Sequence, residues 1–316
     1  MPWLNLIRRL SSGAVSALLA SALIFVATAL LPGDAATTIL GENATPESLQ
    51  VIRDQLGLGR PIYVQYFRWL GGVLTGNFGT SATLGQPVTT LLAQSLGHSL
   101  ILAASALIVA IVVSVPLGTW AAAKQGSRSD GTILTISYIG VAIPDFVTGP
   151  LLMMIFAGAP LFLLPSNGYV RPSESVAGFF SHLVLPTLTL VSHLVAHLVR
   201  QTRAGMVEVL ASDYVRTARL KGLSEGQVLR RHVLPNSLTA TIAVIALDVG
   251  YLLGSIVIVE EIFAFPGIGR LTIYAVSNRD IPLIQGTTLV IALAYILANI
   301  VGDLLQRLLN PKVADE

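Results

Sequence analysis

Long apolar stretches separated by polar connections rich in glycine and proline run the length of the chain. Six of them, Leu10 to Leu31, Leu100 to Ala123, Ile133 to Phe156, Leu183 to Val199, Leu238 to Val259 and Ile284 to Leu305, approach or exceed the roughly 20 helical residues that a hydrocarbon core of about 30 Å demands. The first, second and sixth are uniform. The third contains Pro144 and Asp145, the fourth is short and carries His193 and His197, and the fifth contains Asp248. The expected fold class is all-α, a polytopic integral membrane protein with six transmembrane helices. A signal peptide is the competing reading of the first stretch, since Arg8 and Arg9 precede it and Ala27-Thr28-Ala29 resembles a small-residue cleavage site. Its uncharged run exceeds the usual apolar segment of a signal, so a retained helix is expected.

Composition agrees with the pattern. Of 316 residues, 53% are hydrophobic and only 11% charged, with a mean hydropathy of +0.74, against about 25% charged in an ordinary soluble domain. So few charges cannot furnish polar faces for many water-exposed helices, and much of the surface must meet lipid or other apolar chains. The absence of cysteine excludes a disulfide scaffold, a thiolate zinc site and a cysteine nucleophile. Basic loops resist translocation. With both termini inside, only Arg53, Arg60, Arg68, Arg171, Arg270 and Arg279 of the 19 basic residues fall outside. Both termini are therefore expected in the cytoplasm.

Two connections are too long to be turns, and they face opposite sides. Residues 1–95 are expected to form the first helix plus an outer loop region, and residues 96–316 a core of five helices interrupted by a cytoplasmic loop at about 200–237. The outer connection, from Pro32 to about Ser99, opens with Pro32-Gly33-Asp34. It then carries a capping signal at Thr45-Pro46-Glu47, helical spacing of Leu49, Ile52 and Leu56, and a stop at Gly57. A second short helix after Pro61 presents Tyr63, Tyr66, Phe67, Trp69 and Leu70, as a lid or docking surface or as a loop packed on the membrane face. The inner connection has helix formers from Met206 to Leu223, then Ser224 as a cap with Gln227 three residues on, and a second short helix ending before Pro235. Arg216, Arg219, Lys221, Arg230 and Arg231 make it basic. Charge alone leaves two readings open: a segment attracted to anionic lipid, or a docking element for a cytosolic partner.

The spacing within that loop is recognisable: Arg216-Thr217-Ala218, three residues, Gly222, nine residues, then His232-Val233-Leu234-Pro235. It resembles the EAA signature of ABC importer permease subunits, with Ala218, Gly222, Leu234 and Pro235 matching and Arg216, Thr217 and His232 departing. The run from Asp213 to Leu223 is similar to the dipeptide/oligopeptide/nickel branch. So are Leu31-Pro32-Gly33-Asp34, Leu56-Gly57-Leu58, Gly76-Asn77-Phe78-Gly79, the stretch Glu260 to Arg270, and Asn310-Pro311-Lys312, with Asn77 where an Asp is more usual. The resemblance implies a type I ABC importer permease fold and import of peptides or related small solutes, nickel chelates among them. It implies a second homologous permease subunit, two cytosolic ABC ATPases carrying ATP and Mg, an extracytoplasmic solute-binding protein, and a bacterial inner-membrane location. The lipid bilayer is a partner and nucleic acid is not. ATPase coupling falls by resemblance on Arg216, Thr217, Ala218, Gly222, Leu223 and Pro235. In physical terms, Gly222 permits a sharp turn, Ala218 allows close approach to a partner groove, and Pro235 ends the element where the fifth span begins.

ATP chemistry on this chain is not expected. A phosphate-binding loop needs Gly-Lys-Ser/Thr, and the three lysines follow Ala123, Leu220 and Pro311. The chain is therefore expected to be no enzyme and to bind no cofactor of its own. Ionisable residues inside spans usually face an aqueous path or a partner helix. Asp248, Asp145, His193 and His197 are accordingly candidates for a translocation path, with hydrogen bonding between helices as the alternative. His193 and His197 share a helical face, and His182 lies about three turns earlier. These imidazoles allow contact with a late transition metal, but no metal site is assigned. Two rivals remain: an ion-coupled secondary transporter using Asp248 and the histidines, and an intramembrane hydrolase. Neither requires the inner motif.

Overall fold

The computed structural model describes residues 2–31, 45–56 and 59–309, all of them helix, turn or irregular structure apart from one isolated bridge between Thr80 and Pro87. The turn expected at Pro32-Gly33-Asp34, the stop at Gly57 and the tail Asn310-Pro311-Lys312 lie outside the described residues. The chain divides into two compact units, residues 1–100 with 266–297, and residues 101–265 with 298–316.

The first unit contains α1 (Pro2–Ala29), α2 (Pro46–Leu56), α3 (Ile62–Leu74), the start of α4 (Val88–Ala123), α11 (Ile268–Ser277) and most of α12 (Ile281–Leu309). Thr45 caps α2 as expected, its Oγ1 accepting from Ser48 N at 3.2 Å. The aromatics expected after Pro61 divide between two faces of α3. Tyr66 and Trp69 pack on Phe25 of α1 with ring centroids 5.6 Å apart, and Tyr66 Oη lies 2.9 Å from Ser21 Oγ. Tyr63 and Phe67 remain exposed. Deeper in the unit, Val88 and Leu92 pack with Ile268, Ala275, Leu283 and Ile284. This contact explains why α4 begins well before Leu100: its first turns carry a buried stripe between polar residues. Gly286 permits the approach, because a Cβ there would fall 2.7 Å from Val88 Cγ1.

Asp280, fully buried, fastens this unit. Its Oδ2 accepts from Ser81 Oγ at 2.6 Å, Thr83 N at 3.0 Å and Thr83 Oγ1 at 2.8 Å, and its Oδ1 accepts from Leu283 N at 3.2 Å, capping α12. Burial alone would raise this carboxyl; the donors from Ser81, Thr83 and Leu283 outweigh it and hold the group below its ordinary value of 3.8. A lowered folded value means that the ionised carboxylate stabilises the fold above about pH 4, and that this stabilisation is lost as pH falls further. Asp280→Ala is therefore expected to lower stability by about 3 kcal/mol at pH 7, with the gap to wild type narrowing below about pH 4. Thermal unfolding in detergent at pH 7 and pH 3.5 checks this, and a gap independent of pH would contradict it.

The second unit contains the rest of α4, then α5 (Arg128–Ala142), α6 (Asp145–Phe156), α7 (Val176–Leu210), α8 (Asp213–Leu220), α9 (Glu225–Val228), a π-helical turn (Leu229–Val233) and α10 (Leu234–Ile262). The most enclosed of these is α7, with Leu185, Leu190, Leu194 and Leu198 fully buried. They share one core with Leu102 and Ala106 of α4 and with Leu252, Ile256 and Val259 of α10. Two glycines let neighbouring backbones close on α7. A Cβ on Gly118 would sit 2.9 Å from Val199 O, and one on Gly140 would sit 3.0 Å from Ala196 Cβ. Small residues at helix contacts are the usual packing device within membranes. Apolar side chains left outward, such as Met154 at 70% exposure, suit lipid.

The third expected span requires correction. Ile133 to Phe156 is two helices, α5 and α6, bent by 107°. Pro144 carries no N–H and disfavours helical geometry in the residue before it, and Ile143 is extended at φ −94°, ψ 117°. Among the described residues four helices are long and apolar enough to cross a membrane, or five if the bent pair counts as one span, against the six expected. The expected stretch Leu238 to Val259 lies within α10, and several of its side chains fall outside the described residues.

The inner loop also differs at its exit. The second short helix does not stop before Pro235; it continues through the π-helical turn into α10, with Leu234 N bonding Leu229 O. Pro235 cannot donate to the carbonyl four residues back, and the wider register accommodates that loss.

Candidate functional site

One face of α7 carries His193, His197 and Arg200, spaced so that they stack along the helix. Each meets a polar or aromatic residue from another helix. The His193 ring stacks on Tyr251 of α10 with centroids 4.1 Å apart and planes 17° from parallel. His197 Nδ1 lies 2.8 Å from Asp248 Oδ1, and the Arg200 guanidinium sits over the Tyr138 ring of α5, 5.1 Å from its centroid. Tyr251 Oη donates to Asp145 Oδ2 at 3.1 Å.

Asp145 owes its place to the break at Pro144, which makes it the first residue of α6, where the amide dipoles favour a carboxylate. Asp248 and Tyr251, three apart on α10, face α7 together. The structure thus brings Asp145, Asp248, His193 and His197 into one cluster and adds Tyr251. Both aspartates are buried, and each has one oxygen, Asp145 Oδ1 and Asp248 Oδ2, that is shielded from water and has no hydrogen-bond partner. His182 stands apart, with Nδ1 2.8 Å from Gly178 O of its own helix. Among the described residues no group of three or more His, Asp or Glu is disposed to hold a metal ion.

Further along α7, Arg203 makes a two-pronged bond to Asp130 of α5: Nε to Oδ1 at 2.6 Å and Nη2 to Oδ2 at 2.7 Å. Asp130 also accepts from Gly126 N at 2.9 Å and is only 3% exposed. Sequence reasoning missed this pair, because Asp130 follows Ser127 and reads as a residue of a helix start. It missed Tyr251 because a neutral tyrosine in an apolar helix draws no notice. Continuing the spacing from His193 through Arg200 would have flagged Arg203.

The loop that follows α7 is a compact elbow. Val215 and Ala218 of α8 pack with Met206, Val228, Val233 and Ala122. Ala218, 6% exposed, packs inward as a spacer in the elbow's own core. With only eight residues in α8, the apolar positions three apart must face the elbow's own core. Arg216, Thr217, Gly222 and Pro235 are exposed, Leu223 is half-buried, and Leu220 projects at 81% exposure. Gly222 turns the chain at φ +82° with open space where a side chain would go. Ser224 and Gln227 form the expected capping pair, with Gln227 Oε1 accepting from Ser224 N at 3.1 Å. Arg219 bonds Glu225 through Nε at 2.8 Å and Nη2 at 3.2 Å, an exposed pair of small energetic weight.

Residues 114–315 match the family described as binding-protein-dependent transport system inner membrane component, and residues 3–116 match its N-terminal counterpart. A probable peptide ABC transporter permease protein of Sinorhizobium fredii is 39% identical over 308 residues, covering 98% of each chain. A glutathione transport system permease protein of Salmonella paratyphi A is 37% identical over 296 residues, covering 94% of each. A chain in a crystal structure of an amino acid ABC transporter with histidines aligns with a TM-score of 0.48 at 19% identity, over 71% of this chain and 94% of that one.

Proposed function

This chain belongs to the family of inner membrane components of binding-protein-dependent transport systems, and from that premise we propose that it forms half of the translocation path of an ATP-driven importer of peptides or related small solutes. It is a multi-pass transport subunit of the inner membrane and not an enzyme. Peptides are the solute class named for one close relative and glutathione for another; nickel chelates belong to the same proposal through the sequence resemblance. A second permease subunit supplies the other half of the path. Two cytosolic ATPases carry ATP and Mg, and an extracytoplasmic binding protein delivers the solute. Both termini lie in the cytoplasm, which puts the elbow on the side of the ATPases.

Coupling runs through the elbow, with Arg216, Thr217, Gly222 and Leu223 at its surface, Ala218 inside it and Pro235 at its exit. The observation that carries this reading is the exposed Leu220 beside the Gly222 turn. A bare leucine on a basic element that is already packed within its own chain is suited to a partner's apolar cleft. Asp145, Asp248, His193 and His197 are the residues that meet the passing solute or hold the helices around it.

The chain has no cysteine, so Leu220→Cys introduces a unique thiol. In membranes containing the whole importer, reaction of this thiol with a water-soluble maleimide is expected to slow at least fivefold when the ATPases are present. Equal labelling with and without them would count against the docking role.

A further inference from the structure

The cluster on α7 has a half-complete set of hydrogen bonds. Asp145 uses Oδ2 for Tyr251 and Asp248 uses Oδ1 for His197. The second oxygen of each is shielded from water without a donor, on residues only 5% and 6% exposed. A buried acceptor without a donor is unfavourable, and more so when charged. Nearby groups do not make up the deficit. The Arg200 guanidinium is turned to the Tyr138 ring. His193, within electrostatic reach of both carboxylates, lays its ring on Tyr251. What would complete the cluster is a small group with several N–H donors and a positive charge. The accessible members are those already holding the other two oxygens, His197 with 37% of its side chain exposed and Tyr251 at 39%.

We infer that this cluster binds the protonated amino group of the solute during passage, the ammonium donating to Asp145 Oδ1 and Asp248 Oδ2. Both oxygens are closed to water in this conformation, so the ammonium reaches them when the His197 and Tyr251 side chains turn aside. The selectivity that results is for a free amino terminus over a blocked one, because a neutral amide brings one donor and no charge. This inference rests on the reading of the chain as a permease for peptide-class solutes.

The test uses the whole importer in proteoliposomes, with its binding protein. The probe is an equimolar mixture of alanine peptides of two to five residues, with free and with N-acetylated amino termini, and the luminal content is read by mass spectrometry. The binding protein is the same polypeptide in every arm, so a change in the free-to-acetylated ratio reports on the permease. Asp145→Asn and Asp248→Asn are each expected to lower that ratio at least tenfold relative to wild type. Tyr251→Phe, nearly isosteric and lacking the hydroxyl that holds Asp145, is expected to lower it about threefold and serves if the asparagine variants fail to assemble. ATP-dependent entry with an unchanged ratio in these variants would overturn the ammonium site. No ATP-dependent entry of any peptide into wild-type vesicles would overturn the peptide reading on which it rests.

Discussion

Arg203→Leu is expected to destabilise the second unit by about 3–5 kcal/mol, because it leaves the Asp130 carboxylate buried with its main counter-charge removed. The geometry is unforgiving: two short bonds from one guanidinium fork, plus Gly126 N, satisfy a carboxylate that is almost closed to water. For a unit of this size that loss corresponds to a fall in melting temperature of roughly 6–20 °C. Arg203→Lys cannot reproduce the paired bonds and is expected to fall between. The double variant Asp130→Leu with Arg203→Leu is expected to recover most of the loss, since replacing a buried pair by apolar residues is often neutral. Unfolding of all four proteins in detergent decides the matter, and a double variant as unstable as Arg203→Leu would contradict the account. The pair also matters to position. It ties α5 to α7 shortly before α7 delivers the chain into the elbow, and close packing at Gly118 and Gly140 holds α7 against its neighbours.

The sequence reveals the members of the polar cluster more readily than its shape. Asp145, Asp248, His193 and His197 stand out because ionisable groups inside apolar runs are rare and costly, and the structure gathers all four. Which atoms meet is not legible, because pairing across helices depends on rotation about each axis, and a small error in helix phase turns a contact away. Tyr251 escapes because a neutral tyrosine in an apolar helix carries no such signal. Pro144 announces a break in the third stretch, but not its angle, which is set by how α5 and α6 each pack on α7. Ala218 shows the opposite limit: a small residue reads alike whether it admits a partner or fills its own core. Only the short α8, with Val215 and Ala218 facing inward, resolves it. Asp280 lies ahead of Ile281-Pro282 as a helix cap would; its bonds to Ser81 and Thr83 join residues too far apart in sequence to be anticipated.

Gly222→Asp is expected to abolish coupling while leaving the subunit folded. A Cβ at that position meets no neighbour, and the φ of +82° falls in the left-handed region that aspartate tolerates better than most residues. The conformational cost is about 1 kcal/mol, too small to unfold the elbow. Whatever is lost beyond that arises at the surface presented to the partner, where a carboxylate replaces a bare backbone turn. Gly222→Asn, with the same shape and no charge, separates bulk from charge.

The most direct measurement follows solute uptake and ATP hydrolysis together in vesicles containing both permease subunits, with and without the ATPases. The account predicts no uptake without the ATPases, ATP-dependent uptake when they are added, and a loss of more than tenfold in Gly222→Asp with the subunit still present in the membrane. Uptake driven by an ion gradient in vesicles without any ATPase, lost in Asp248→Asn and indifferent to Gly222→Asp, would contradict it.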